Sequence, residues 1–220
     1  MVTPLDLQEQ EQVDALKAFW RRYGNLITWV LVLVLGGFAA WNGWQLYQRK
    51  QAEQAGAMYD ELERAAAAAD VEKVSRVFAD IKERYARTVY AQQAGLLAAK
   101  VQLDKDKADD ARATLAWVAE SGRHPDLSAL ARLRLAGVLL DARKYDEALV
   151  QLEPSRLGAF AALGADRRGD VLLAQGRQAD AQAAYQAAWK ELPDSIDYRR
   201  LVEAKLSALG ASPAASGAGK

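Results

Sequence analysis

The densest charged cluster in the 220-residue chain is Asp166-Arg167-Arg168-Gly169-Asp170. Two carboxylates four residues apart share one face of a helix, where they can bind a basic peptide end or work as an acid/base pair. The adjoining arginines support a second reading, a solvated helix face that neutralises itself. Other chemistry is scarce. His124 is the only histidine and there is no cysteine, so a multi-histidine or thiolate metal site, a disulfide and a thiol nucleophile are all excluded. His124 precedes Pro125 and reads as an exposed turn residue. No GxSxG, GxxxxGK[ST] or GxGxxG pattern occurs. With 29 basic and 29 acidic residues, the chain offers no basic stripe for nucleic acid. The sequence therefore predicts a binding protein without catalytic residues, metal or cofactor.

The elements that position these residues are helical. Prolines number five, alanine is abundant, and no period-2 strand is found between Gln51 and Leu209. The segment Ala162–Asp194 has Gly169 in a first helix and Gly176 at a turn. Ala181, Tyr185 and Ala188 follow along a second helix, and Pro193 closes the unit. These offsets resemble the tetratricopeptide signature, in which small residues let two antiparallel helices touch and an aromatic ring fills the hollow between hairpins. A unit 33 residues upstream matches through Ala136, Ala148 and Leu152, with Arg143 in place of the turn glycine. A third, a further 37 residues upstream, carries Ala99, Ala111, Leu115 and Val118. An earlier hairpin near Met58–Arg84 has the stripe Val74, Val77, Phe78, Ile81 and Tyr85.

This phase puts Leu103, Leu140 and Leu173 at one position near the end of each first helix. First helices line the concave side of such a solenoid, where partners dock. Lys100, Asp166 and Asp170 are expected on the same side, making six candidate partner-binding residues. The competing reading is that the three leucines pack within the solenoid.

Upstream lies an uncharged apolar run, Leu26–Trp44, bracketed by Arg21 and Arg22 and by Arg49 and Lys50. Its length of about 28 Å matches the hydrocarbon core of a bilayer. Trp20 and Tyr23 on one side, and Trp41, Trp44 and Tyr47 on the other, suit the headgroup boundaries. Gly37-Phe38-Ala39 resembles a signal cleavage site, but the long lead with Asp6, Glu9, Glu11 and Asp14 argues for a lasting anchor. The flanking charges tie at three apiece: Lys17, Arg21 and Arg22 before the run, Arg49, Lys50 and Arg64 after it. They set no orientation. Gly36, Ala40 and Gly43 offer a small-residue face for another transmembrane helix, or simply reflect the usual composition of spanning helices.

The expected architecture is all-α. It comprises an N-terminal tail (1–25), a single transmembrane helix (26–44), a short tetratricopeptide-like α-solenoid (45–209) and a disordered tail (210–220). The segment from Leu46 to Arg64 should continue the anchor as an amphipathic helix.

The whole arrangement resembles the YfgM-type ancillary subunits of the bacterial SecYEG translocon. The resemblance is carried by EQVDALKAFWRRYGN before the run and WNGWQLYQRKQAEQA at its exit. It returns in LARLRLAGVLLDARKYDEAL and in GADRRGDVLLAQGRQADAQAAYQAAW, where Arg168-Gly169-Asp170 lies. It implies a type II inner-membrane protein with a periplasmic solenoid. The implied partners are SecYEG and a membrane-anchored parvulin-like periplasmic chaperone, with the lipid bilayer around the anchor. The alternative from the residues alone is an adaptor for another envelope complex, in cytochrome maturation or the cell wall.

Overall fold

The computed structural model describes residues 7–211. The first six residues of the expected tail, and Ser212–Lys220 of the expected disordered tail, lie outside the described residues. Helices make up the described chain, and no strand occurs among the described residues. The chain divides into two compact units between Gln51 and Ala52.

The first unit is formed by helix α1 (Leu7–Ala67) as far as Gln51. Its apolar run is exposed throughout, with Leu33 72% and Phe38 67% accessible. A side-chain surface of this kind has no place in water. The two polar residues of the run are satisfied by the helix itself: Thr28 Oγ1 donates to Gly24 O at 2.8 Å, and Asn42 Nδ2 donates to Phe38 O at 2.9 Å. Such internal pairing is what a helix in hydrocarbon requires.

The second unit begins with the end of α1 and continues with α2 (Val71–Tyr85), α3 (Val89–Asp104), α4 (Ala108–Glu120), α5 (Pro125–Asp141), α6 (Tyr145–Gln151), α7 (Ala161–Ala174), α8 (Gln178–Glu191) and α9 (Tyr198–Ala208). Two 3-10 turns, Pro154–Arg156 and Gly158–Phe160, follow the short α6. The end of α1 pairs with α2, α3 with α4, α5 with α6 and α7 with α8, so all four anticipated hairpins are present.

The hairpins share one turn. After each first helix comes a residue with positive φ: Ala69 (52°), Asp106 (58°), Arg143 (58°) and Gly176 (77°). The next residue sends its N–H back to a carbonyl in the helix: Asp70 to Ala65 (3.1 Å), Lys107 to Gln102 (2.8 Å), Lys144 to Leu139 (2.8 Å) and Arg177 to Leu172 (2.9 Å). This Schellman closure satisfies the orphan carbonyls of the helix end. Arg143 therefore adopts the glycine conformation despite its side chain, and the missing turn glycine does not change the fold. In three of the turns a basic residue stands at the start of the second helix, where the macrodipole disfavours it. Each is compensated by an acid: Lys107 by Glu72 (3.0 Å), Lys144 by Glu147 (3.0 Å) and Arg177 by Asp180 (2.7 Å).

The same closure recurs at Gly210 (φ 72°), where Ala211 N–H reaches Leu206 O at 3.0 Å. Thus α9 is a fifth first helix, and Gly210 and Ala211, expected in the tail, belong to the folded unit. Ala211 is 8% exposed and packs with Val202 and Leu206.

The repeat positions form the core. Ala99, Ala136, Ala111, Ala148 and Ala181 are all at most 1% exposed, as are Leu115, Leu152 and Tyr185. At Gly169 the close approach takes a particular form: a Cβ there would collide with Cε1 of the Tyr185 ring. The Tyr185 ring occupies the space of the missing side chain within its own hairpin, as well as the gap toward α9. Trp117 joins the cores of the first two hairpins, meeting Phe78 edge-on at 5.6 Å.

Candidate functional site

The face built by first helices carries an open groove between the last turns of α1 and α3. Its floor is Ala66, Ala67, Leu97 and Val101, and its rim is Glu63, Lys100 and Asp104. Lys100 donates to Asp104 Oδ2 at 3.2 Å across one helical turn. This pair is exposed, so water screens it and it contributes little to folding. An apolar floor with an exchangeable charged rim suits an amphipathic helix or extended peptide.

Leu103, Leu140 and Leu173 occupy equivalent places, each the penultimate residue of its first helix. Their carbonyls accept the N–H of the positive-φ residues Asp106 (3.0 Å), Arg143 (2.9 Å) and Gly176 (2.9 Å). The backbone role is common to all three, and the side chains diverge. Leu140 is partly buried against the central core, whereas Leu103 and Leu173 are 38% and 42% exposed.

Asp166 and Asp170 stand elsewhere. Asp166 is 1% exposed. Its carboxylate accepts from Lys205 Nζ at 2.9 and 2.8 Å and from the Tyr198 hydroxyl at 2.7 Å. Asp170 accepts from the same Lys205 at 2.7 Å and from the Tyr185 hydroxyl at 2.8 Å. The expectation of a solvated, self-neutralising face is corrected here: α9 covers both carboxylates and supplies the cation and a hydroxyl. Arg167 contributes only a 3.8 Å approach to Asp170. Lys205 also lies 5.3 Å from the centre of the Tyr185 ring. Burial, and then the hydrogen bond to Asp170, pushes the Tyr185 phenol well above its ordinary value. Tyr198 is raised likewise, by burial and then by Asp166. The cluster fixes α9 onto the last hairpin by tying both carboxylates to Lys205.

Lys205 and Tyr198 were not among the residues singled out from sequence. The signal for them was the 34-residue spacing from Gly176 to Gly210, which continues the register of turns beyond Pro193. In the first unit, Gly36 and Gly43 have no atom within 4 Å of an added Cβ, and Ala40 is exposed between them. No grouping of histidine or acidic residues suited to a metal ion occurs among the described residues.

Residues 17–211 match the family described as a tetratricopeptide repeat-like domain. Among curated relatives, a protein of Neisseria gonorrhoeae is 31% identical over 207 residues, 92% of this chain and 98% of its own. A protein of Haemophilus influenzae is 28% identical over 83% of this chain and 89% of its own. One from Escherichia coli is 28% identical over 83% of this chain and 87% of its own. All three carry the name ancillary SecYEG translocon subunit.

Proposed function

This chain belongs to the ancillary SecYEG translocon subunit family, with its tetratricopeptide repeat-like domain, and from that premise we propose a non-enzymatic docking module anchored in the bacterial inner membrane. The helix around Leu26–Trp44 spans the bilayer once. The solenoid receives partners on its first-helix face, at the groove bearing Lys100 and beside the exposed Leu103. The observation that carries this reading is coverage. The similarity to the Neisseria relative takes in 92% of this chain, so it joins an apolar helix to the repeats in one protein. A repeat domain alone would fit adaptors of many kinds.

The orientation is type II, with the N-terminal tail in the cytoplasm and the solenoid in the periplasm. There it works with SecYEG and with a membrane-anchored parvulin-like chaperone, receiving secretory proteins as they emerge. The neutral solenoid, free of thiols, is compatible with that compartment. The reading is tested by a photo-crosslinking residue placed at Lys100, combined with a C-terminal reporter active in only one compartment. A periplasmic signal with crosslinks to a translocon subunit or chaperone is expected. A cytoplasmic signal would overturn the orientation, and crosslinks confined to unrelated proteins would overturn the assignment of the groove.

A further inference from the structure

The segment of α1 ahead of the apolar run is two-faced. At about 100° per residue, Val13, Leu16, Phe19, Trp20 and Tyr23 fall on one side, and Lys17, Arg21 and Arg22 on the other. The apolar side is open, with Leu16 66% and Trp20 59% exposed. The opposite side forms a groove lined by Asp14, Lys17, Ala18, Arg21 and Arg22. Lys17 approaches Asp14 Oδ1 at 3.3 Å, so this carboxylate offsets one of the cations. Arg21 and Arg22 have no ion-pair partner among the described residues.

We propose that this groove is a binding site for the phosphodiester headgroup of an anionic phospholipid. The inference rests on reading Leu26–Trp44 as a membrane span. Arg22 then lies only four residues, about 6 Å, before the hydrocarbon boundary, at the depth of lipid phosphates. Two uncompensated guanidiniums supply forked donors for phosphate oxygens, and Lys17 adds a third cation. Charge complementarity selects an anionic lipid over a zwitterionic one, whose own cation competes for its phosphate. The aromatic residues of the opposite side lie at the same depth, where their amphipathic rings favour the headgroup boundary. Arg22 is 5.8 Å from the centre of the Tyr23 ring, which ties the two faces together. Gly24 permits the Trp20 indole to lie along the helix toward the span, since a Cβ there would sit 3.2 Å from the indole Nε1.

The test uses the full chain, reconstituted in phosphatidylcholine vesicles and challenged with alkaline carbonate, and then held in mild detergent with equimolar phosphatidylglycerol and phosphatidylcholine for native mass spectrometry. The wild-type chain should resist carbonate and prefer phosphatidylglycerol by about 25-fold, Arg21 and Arg22 contributing about fivefold each while Asp14 offsets Lys17. In Lys17→Gln/Arg21→Gln/Arg22→Gln, carbonate resistance should persist while the preference falls to near unity. Release of the wild-type chain by carbonate would remove the span and the site with it. Three results from a carbonate-resistant chain would overturn the lipid site alone. These are equal binding of the two lipids, an unchanged preference in the triple variant, or a preference lost only in Arg49→Gln/Lys50→Gln.

Discussion

Lys205 on α9 places its ammonium 2.8 Å from Oδ2 of Asp166 on α7, across 39 residues of chain, and the carboxylate it meets is almost completely buried. The same ammonium reaches Asp170 at 2.7 Å. One cation thus serves two carboxylates, and two tyrosine hydroxyls take up remaining lone pairs. The pair of acids that looked most chemical in the sequence is the fastening of the last helix.

Removing the cation should be costly. Lys205→Met leaves Asp166 buried without a counter-charge, and a loss of about 3–5 kcal/mol is expected. Urea unfolding of the segment 52–220, followed by tryptophan fluorescence and circular dichroism, measures it. Arg200→Met, in an ion pair whose two side chains are 86% and 96% exposed, should change stability by less than about 1 kcal/mol.

The close approach at Gly169 and the shared turn at Arg143 make two glycine predictions of opposite sign. Gly169→Ala drives a Cβ into the Tyr185 ring and should destabilise by about 1–3 kcal/mol. Arg143→Gly relieves a left-handed residue at φ 58° and should stabilise by up to about 1 kcal/mol. Thermal unfolding of the same segment reads both. A stabilising Gly169→Ala would contradict the close packing of α7 on Tyr185.

The three repeat leucines should separate in their responses. Leu140→Asp buries a carboxylate against the central core and should unfold much of the domain. Leu103→Asp and Leu173→Asp start from exposed positions and should keep the circular dichroism spectrum. If Leu103→Asp also weakens crosslinking at Lys100, the groove extends over it.

Alkaline pH should loosen the α9 fastening. Tyr185 and Tyr198 have folded values above the unfolded value of about 10, so the folded state holds their protons more tightly. Their stabilising contribution is fully present below about pH 10 and is lost as pH rises from there toward the folded values. Phenolate absorbance of the segment 52–220 should show these two tyrosines ionising only with unfolding. Tyr185→Phe/Tyr198→Phe should flatten the alkaline decline. Ionisation of both near pH 10 in a still-folded protein would contradict their burial.

Repeat periodicity was legible because its cause is local. The small residues at Ala99, Ala136 and Gly169, and the 37- and 33-residue offsets, register each hairpin through its own helix contact. The apolar run was legible for the same reason, since membrane insertion depends on composition over one helix. The fate of Asp166 and Asp170 was not legible, because it depends on Lys205 and Tyr198, a full repeat away. A helix face with two acids and two arginines looks solvated until the next helix is placed upon it. Arg143 illustrates the reverse: its side chain argued against a glycine-type turn, and the backbone closure to Leu139 prevailed.

A solenoid tethered beside SecYEG should travel with it when the full chain is purified from bacterial membranes in mild detergent and what accompanies it is quantified. Enrichment of SecYEG subunits with the full chain is the expected result. An intact, membrane-extracted chain that brings no SecYEG subunit above background would contradict it.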